Sequence, residues 1–313
     1  MSVMFKPEVS LTKYSNYKIG GLARQFCHAK KVDELAAAIQ KARKEKLPVF
    51  ILGGGTNLLI NDEGFNGLVL KPELSVLKAN GNLVKVGAGV SMSELLDYLI
   101  AKSLSGLEWA GGLPGTVGGA IRGNAGAFGG EIKDNVQEVV SLDISGKTPK
   151  VVKRSNAECK FGYRNSIFKM RDGTEVILEA VLSLGKVPDK KAIRQAIEEK
   201  IKYRKERHPM EYPNIGSIFK NVDLKNVPKK VQAQFAAKIK NDPFPVLPTA
   251  VLIAETGLKG VSFGGAMISP KHPNFIVNVL NAKADDVKQL IGLVKSRVKN
   301  QFGIKLEEEI IYV

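Results

Sequence analysis

Hydrophobic periodicity divides the chain into helical and extended stretches. Across residues 31–46, Val32, Leu35, Ala36 and Ile39 recur at helical spacing, which predicts an amphipathic helix. Pro48 then opens an apolar run, Val49 to Leu52, that reads as a strand, and Gly67-Leu-Val-Leu-Lys71 reads as the next. Leu83 to Gly89 is a short strand, and Ser91 or Ser93 caps a helix from Glu94 to Lys102. From Asn135 to Leu184 β-branched alternation dominates: Val136, Val139 and Val140, then Val151 and Val152, then the run from Val176 to Leu184. A strongly charged helix over Asp189 to Arg207 is stopped by Pro209, and Pro209 with Pro213 marks a boundary. Beyond it the pattern mixes helices with short strands. Asn281 is expected to cap a helix from Ala284 to Gln301, Gly303 to end it, and residues 304–313 to close as a strand.

Two glycine-dense segments interrupt this pattern. The first, Val49-Phe-Ile-Leu-Gly-Gly-Gly-Thr-Asn57, turns a strand straight into three glycines. The second runs from Trp109-Ala-Gly-Gly-Leu-Pro-Gly-Thr-Val-Gly-Gly-Ala120 to Asn124-Ala-Gly-Ala-Phe-Gly-Gly130. Glycine admits positive φ and lets backbone N–H groups approach a ligand with no Cβ between, and successive N–H groups aimed at one point bind phosphate. Neither cluster ends in the Gly-Lys-Ser/Thr of a Walker loop, and neither runs G-x-G-x-x-G into a helix with an acidic residue about 20 positions on. Two such loops of another kind suggest a long ligand with a diphosphate in its middle.

Composition narrows the classes. The 313 residues are 44% hydrophobic and 25% charged, ordinary for a globular protein of two or three domains. No uncharged apolar run approaches a membrane span, and Met1-Ser-Val-Met-Phe-Lys-Pro-Glu lacks the basic-then-apolar order of a signal peptide. Cys27 and Cys159 are the only cysteines, which fits a reducing compartment, and the scattered His28, His208 and His272 give no metal pattern. The net charge of +16 is spread along the chain without a nucleic-acid recognition module, so it reads mainly as compositional bias that also suits anionic ligands.

Three further segments carry reactive side chains. Phe161-Gly-Tyr-Arg-Asn-Ser166 sets an arginine among aromatic rings, and an arginine that becomes buried must find a partner or an anion. Asn214-Ile-Gly-Ser-Ile-Phe-Lys-Asn221 places Ser217 after a glycine, with no G-x-S-x-G elbow to make it a hydrolase nucleophile. Glu307, Glu308 and Glu309 stand in the closing strand, where alternation puts Glu308 on the face opposite its two neighbours. Taken singly, each reads as a surface or turn feature.

Taken in order along the chain, they resemble the UDP-N-acetylenolpyruvoylglucosamine reductase family. The resemblance rests on Asn16-Tyr-Lys-Ile-Gly-Gly21, Leu-Gly-Gly-Gly-Thr-Asn-Leu-Leu59, Gly-Leu-Pro-Gly-Thr-Val-Gly-Gly-Ala120, Phe-Gly-Tyr-Arg-Asn-Ser166, Gly-Ser-Ile-Phe-Lys-Asn221, Gly-Leu-Lys-Gly260 and Leu-Glu-Glu-Glu309. The chain departs from the family pattern at Leu22, Val222, Asn165 and Arg207, and the short stretch from Arg164 to Ser217 matches the family's shorter, second form. The resemblance implies an α+β protein: a two-lobed FAD-binding fold of the vanillyl-alcohol-oxidase/p-cresol-methylhydroxylase type plus a smaller α+β substrate domain. Its lobes would be 1–72 and 73–206, the substrate domain 207–303, and 304–313 would return to the second lobe.

The family's chemistry then implies residue roles. Arg164, Ser217 and Glu309 match its catalytic positions. Non-covalent FAD would be held by Gly53, Gly54, Gly55, Thr56, Asn57, Gly112, Pro114, Gly115, Thr116, Gly118, Gly119, Asn124, Gly126 and Arg204. Lys220, Asn221 and Lys259 would contact the substrate, UDP-N-acetylenolpyruvoylglucosamine, and NADPH would be the electron donor. The resemblance further implies a cytoplasmic enzyme, monomeric, with no nucleic-acid or membrane partner. Another oxidoreductase of the same flavin fold is the alternative enzyme, and a non-catalytic nucleic-acid binder, resting on charge alone, is the alternative class.

Overall fold

A computed structural model describes residues 3–313, and the chain forms two compact units. The first unit comprises the described residues up to Val9 together with Ala23–Gly54 and Phe65–Tyr203; the second comprises Ser10–Leu22, Gly55–Gly64 and Arg204–Val313. The polypeptide therefore enters the second unit three separate times.

In the first unit, strands Leu22–Ala29, Phe65–Pro72 and Val49–Ile51 lie in parallel, with Phe26 opposite Val69 and Phe50 opposite the same residue on the other side. The predicted amphipathic helix forms over Val32–Lys44 and buries Leu35, Ala38, Ile39 and Ala42. Each fully buried Leu or Ile contributes roughly 1.5–3 kcal/mol of hydrophobic stabilisation. A second sheet orders Lys150–Ser155, Val136–Asp143, Glu175–Ser183, Leu83–Gly87 and Leu77–Asn80, all antiparallel. One face of it packs on helix Met92–Lys102, where Leu95, Leu96 and Leu99 are buried with Trp109 and Val117. Of the two serines predicted as its cap, Ser91 takes the role, its Oγ accepting from Glu94 N at 3.1 Å.

The two sheets are not separate lobes in their packing. Val140, Leu142, Val176 and Leu178 of the second sheet share one core with Leu35, Ile39, Leu68 and Leu70 of the first. The second sheet also buries Glu175 completely, matched by Arg154 and Ser141 and by Arg171 at 3.3 Å. A buried carboxylate survives only with such partners.

The second unit is built around helix Ala284–Phe302, which presses Val287, Leu290, Ile291, Val294 and Val298 onto strands Ala266–Ile268 and Ile276–Asn278. Tyr17 is wholly buried here, its hydroxyl donating to Ile276 O at 2.7 Å. Asn281 does not cap the long helix. It sits at φ +50°, and carboxylates do the work instead: Asp286 Oδ2 accepts from Lys283 N and Asp62 Oδ2 from Ala284 N, each at 2.9 Å. Gly303 ends the helix at φ +71°, as predicted.

The chain end departs from expectation. Within 304–313 only Ile311–Tyr312 is strand, and it pairs in parallel with Leu58–Leu59 inside the second unit, so this segment does not return to residues 73–206. The cause is apolar: Leu306 and Ile310 are buried in the core beneath the long helix, which fixes the segment there. Residues 10–22 and 55–64 likewise belong with the C-terminal region rather than with the rest of 1–72. Cys27 and Cys159 are free and buried. Among the described residues, no helix is long and apolar enough to cross a membrane.

Candidate active site

The first unit carries the glycine cradle. An ideal Cβ on Gly54 would stand 2.6 Å from Gly115 Cα, and one on Gly53 would stand 3.3 Å from Thr116 Oγ1, so the two loops meet backbone to backbone. Only glycine permits that approach. No hydrogen-bond partner among the described residues takes the amides of Gly53, Gly54, Gly115 or Thr116. Gly54 is exposed and the other three half-buried, so these amides are accessible to a ligand. Their number and chemistry fit the diphosphate of a dinucleotide, so these residues suit FAD. The neighbouring amides are spent internally: Val117 N donates to Val90 O and Gly118 N to Ala88 O, each at 2.9 Å, and Gly119 N to Thr116 Oγ1 at 3.4 Å. Gly118 thus packs against Ala88, while Gly112, Pro114 and Gly119 stay exposed at the rim.

Arg164 lies in a tight turn of the same unit. Gly162 and Asn165 exchange backbone hydrogen bonds of 3.0 Å, and Arg164 between them adopts φ +52°. That is a left-handed position which glycine or asparagine normally fills, and strain of this kind clusters at functional sites. Arg164 Nη2 donates to Gly126 O at 2.8 Å, and its guanidinium lies 5.4 Å from the centre of the Tyr163 ring. Asn124, expected as a cofactor contact, is wholly buried. Its Nδ2 donates to Glu131 Oε1 at 3.1 Å and to Gly162 O at 2.9 Å, and its Oδ1 accepts from Lys133 N at 3.3 Å. Its side chain is therefore committed to the protein, and Asn124 shapes the loop from within.

The second unit brings together the segments that carry Ser217 and Glu309. The segment around Ser217 meets the three glutamates in antiparallel fashion: Glu309 N donates to Ile218 O at 2.8 Å, and Lys220 N to Glu307 O at 2.9 Å. Asn57, at the end of the glycine run, donates its side-chain amide to Glu309 O at 3.1 Å. Glu307 and Glu308 take different partners. Glu307 pairs with Lys220, while Glu308 is held by Lys295 at 2.7 Å and by the Tyr312 hydroxyl. Burial pushes the Glu308 carboxyl up, yet the hydrogen bonds from Lys295 and Tyr312, with the Lys295 charge, outweigh it and hold it below the usual range.

The remaining expected residues fall in the second unit. Gly55 is buried at φ +66°, its Cβ direction aimed into Tyr14 O, and its own oxygen accepts from Asn16 N at 2.9 Å. Thr56 is partly exposed beside it. Asn221 Oδ1 accepts from Thr249 N at 3.2 Å, and Lys259 is exposed in the turn after helix Thr249–Glu255. Arg204 occupies the last turn of helix Lys190–Arg207, where its carbonyl accepts from His208 N at 2.8 Å.

One residue escaped the sequence reading. Asn274, buried, accepts from Phe219 N at 3.0 Å and donates to Phe219 O at 2.8 Å, while its own carbonyl accepts from Ile218 N at 2.8 Å. It fixes the backbone directly after Ser217. The available signal was an asparagine immediately preceding the apolar run Phe275-Ile-Val.

Comparison with known proteins places this geometry. A model of the UDP-N-acetylenolpyruvoylglucosamine reductase C-terminal domain matches residues 208–313, and an FAD binding domain model matches residues 23–151. The chain is 37% identical to the UDP-N-acetylenolpyruvoylglucosamine reductase of Lachnoclostridium phytofermentans, over 96% of this chain and 90% of the relative. It is 38% identical to that of Caldanaerobacter subterraneus with the same coverage of 96% and 90%. The crystal structure of the Thermus caldophilus enzyme superposes with a TM-score of 0.76 at 29% identity, covering 99% of both chains. The chain belongs to the UDP-N-acetylenolpyruvoylglucosamine reductase family.

Proposed function

We infer that the chain is an NADPH-dependent flavoenzyme that reduces the enolpyruvyl group of UDP-N-acetylenolpyruvoylglucosamine to give UDP-N-acetylmuramate for peptidoglycan synthesis. The observation that carries this reading is the antiparallel meeting of the Ser217 segment with Glu309, locked by Asn57 and Asn274. It holds the segments that carry Ser217 and Glu309 against each other on a braced backbone, which supports reading them as proton donor and charge stabiliser of one site.

When bound, FAD supplies hydride transfer between NADPH and the terminal vinyl carbon of the substrate. The amides of Gly53, Gly54, Gly115 and Thr116 would hold its diphosphate. Hydride addition leaves negative charge on the adjacent carbon, shared with the substrate carboxylate as an enolate. The Arg164 guanidinium offsets that charge. Glu309 contributes as a proton-bearing donor, because a bare carboxylate would repel the enolate. Ser217 then gives its hydroxyl proton to the enolate carbon, completing the saturated lactyl ether. Lys220 offers a cation to the sugar nucleotide by exchanging its partner Glu307, whose side chain is 71% exposed and so held weakly. Asn221 and Lys259 assist on the same unit.

We place the enzyme in the cytoplasm as a monomer acting on a small molecule. Two free, buried thiols support a reducing compartment. The test is direct. Purified protein should be yellow with a flavin absorption band, and NADPH oxidation should depend on the enolpyruvyl sugar nucleotide. A colourless protein, or NADPH oxidation indifferent to that substrate, would reject the reading.

A further inference from the structure

We propose that Asn124 is the positioning residue for Arg164, rather than a contact of the cofactor. The proposal rests on reading Arg164 as the group that stabilises the enolate. Arg164 is held at two places, and one buried side chain braces both. Its backbone belongs to the Gly162–Asn165 turn, and Asn124 Nδ2 donates to Gly162 O at 2.9 Å. Its guanidinium donates to Gly126 O at 2.8 Å. Gly126 is paired with Glu131 in the hairpin of Gly126–Ala127 and Gly130–Glu131, and Asn124 Nδ2 also donates to Glu131 Oε1 at 3.1 Å.

The chemistry of the amide suits this double task. Both acceptors, a carbonyl and a carboxylate, need N–H donors, and the Asn124 NH2 has two. Its oxygen is taken by Lys133 N at 3.3 Å, so the orientation of the amide is fixed by three partners. The backbone at Asn124 is left-handed, φ +43°, at the end of helix Val117–Gly123. Asparagine tolerates that conformation, which lets the amide point into the junction. The hairpin is braced from its other side by Trp109, whose ring fills the space a Cβ on Gly130 would need. Lys169 Nζ donates to Arg164 O at 3.0 Å and steadies the strained turn. Without Asn124 the turn and the hairpin would lose their common tie, and the guanidinium would wander from its productive place.

Asn124→Gly separates this role from loop building, because glycine keeps the left-handed backbone and removes only the side chain. Flavin content and the rate of flavin reduction by NADPH should be retained, while reoxidation by the enolpyruvyl substrate should slow about 10- to 100-fold, the scale of a misplacement near 1 Å. In Arg164→Ala the further change Asn124→Gly should cost nothing, a non-additive cycle. Should Asn124→Gly fail to fold, Asn124→Asp keeps the backbone preference and size but loses the donors. Its reoxidation rate should recover as pH falls, when the carboxyl beside Glu131 takes up a proton and can donate again. Loss of flavin together with equal slowing of both half-reactions, additive effects in the cycle, or a pH-independent Asn124→Asp would each overturn the proposal. If Arg164→Ala itself left reoxidation unchanged, the assignment of Arg164 would fall instead.

Discussion

Glu307, Glu308 and Glu309 repeat one side chain, yet the fold gives each a different partner. Glu308 is tied to Lys295 and Tyr312, and Glu309 has its amide on Ile218 O beside Ser217. Glu309→Gln should therefore impair reduction of the sugar nucleotide while leaving flavin reduction by NADPH intact, whereas Glu308→Gln should cost only modest stability. Half-reaction kinetics on the two variants check this, and damage confined to Glu308→Gln would mean the wrong carboxylate had been chosen. Ser217→Ala should slow reoxidation about 10²–10⁴-fold, the usual worth of a general acid, with the NADPH half-reaction unchanged. Ser217→Cys should recover part of the loss, since a thiol can also release a proton. Equal slowing of both half-reactions would make Ser217 a packing residue.

The roles proposed for Arg164, Ser217 and Glu309 rest on motif order along the chain. Ser217 alone looks like a turn residue and Arg164 like a surface cation. Alternation sets Glu308 apart from its neighbours by the direction of successive side chains, and Glu308 does have partners of its own in Lys295 and Tyr312. Asn124 and Asn274 show what could not be read. Each works by reaching a distant backbone, Gly162 in one case and Phe219 in the other, and nothing local in the chain names those partners.

At the scale of elements, local rules served well where packing agreed with them. The helix Val32–Lys44, its apolar face and the strand Val49–Ile51 follow from periodicity, and Ser91 caps as serine should. They failed at Asn281 and at the chain end. There the deciding groups were Asp62, far away in sequence, and the buried Leu306 and Ile310. The glycine run was legible as a close approach, and the neighbours it approaches are protein, Gly115 at Gly54 and Tyr14 at Gly55. Gly54→Val would drive a Cβ branch into Gly115 Cα, which lies 2.6 Å from the ideal Cβ position. Overpacking of this kind costs roughly 1–3 kcal/mol, and separating the loops should also scatter the amides. Both the thermal midpoint and the flavin-to-protein absorbance ratio should fall. Full flavin occupancy in Gly54→Val would remove the cradle from the cofactor site.

At the scale of the whole molecule, acid sensitivity should be concentrated in the second unit. His208 and His272 stand edge to face at 5.3 Å, both against Phe275. Burial first, then repulsion from His272, Arg204 and Lys271 at the one and Lys240 at the other, hold both imidazoles down to about 4. Because the folded value lies below the ordinary one near 6.5, the unfolded chain binds protons that the folded chain refuses. Stability is thus fully present above about pH 6.5 and drains away as pH falls toward about 4. His272→Phe keeps an aromatic ring but cannot titrate, so its thermal midpoint should drop less than that of the wild type between about pH 7 and about pH 4.5. Equal drops would show that carboxylates alone govern the acid limb.

The pairing of Ile311–Tyr312 with Leu58–Leu59 joins the end of the chain to its first fifth. A ribosome delivers Leu58 long before it delivers Ile311, and contacts of such wide sequence separation form slowly. The first unit needs nothing beyond Tyr203 for its own sheets and can close while synthesis continues. The second cannot, because its opening strand waits for its closing one. During that interval residues 55–64 present an open strand edge, and Asn57 has no Glu309 carbonyl to hold. The second unit therefore closes only after Ile311 has been made, well after the first unit has all of its strands.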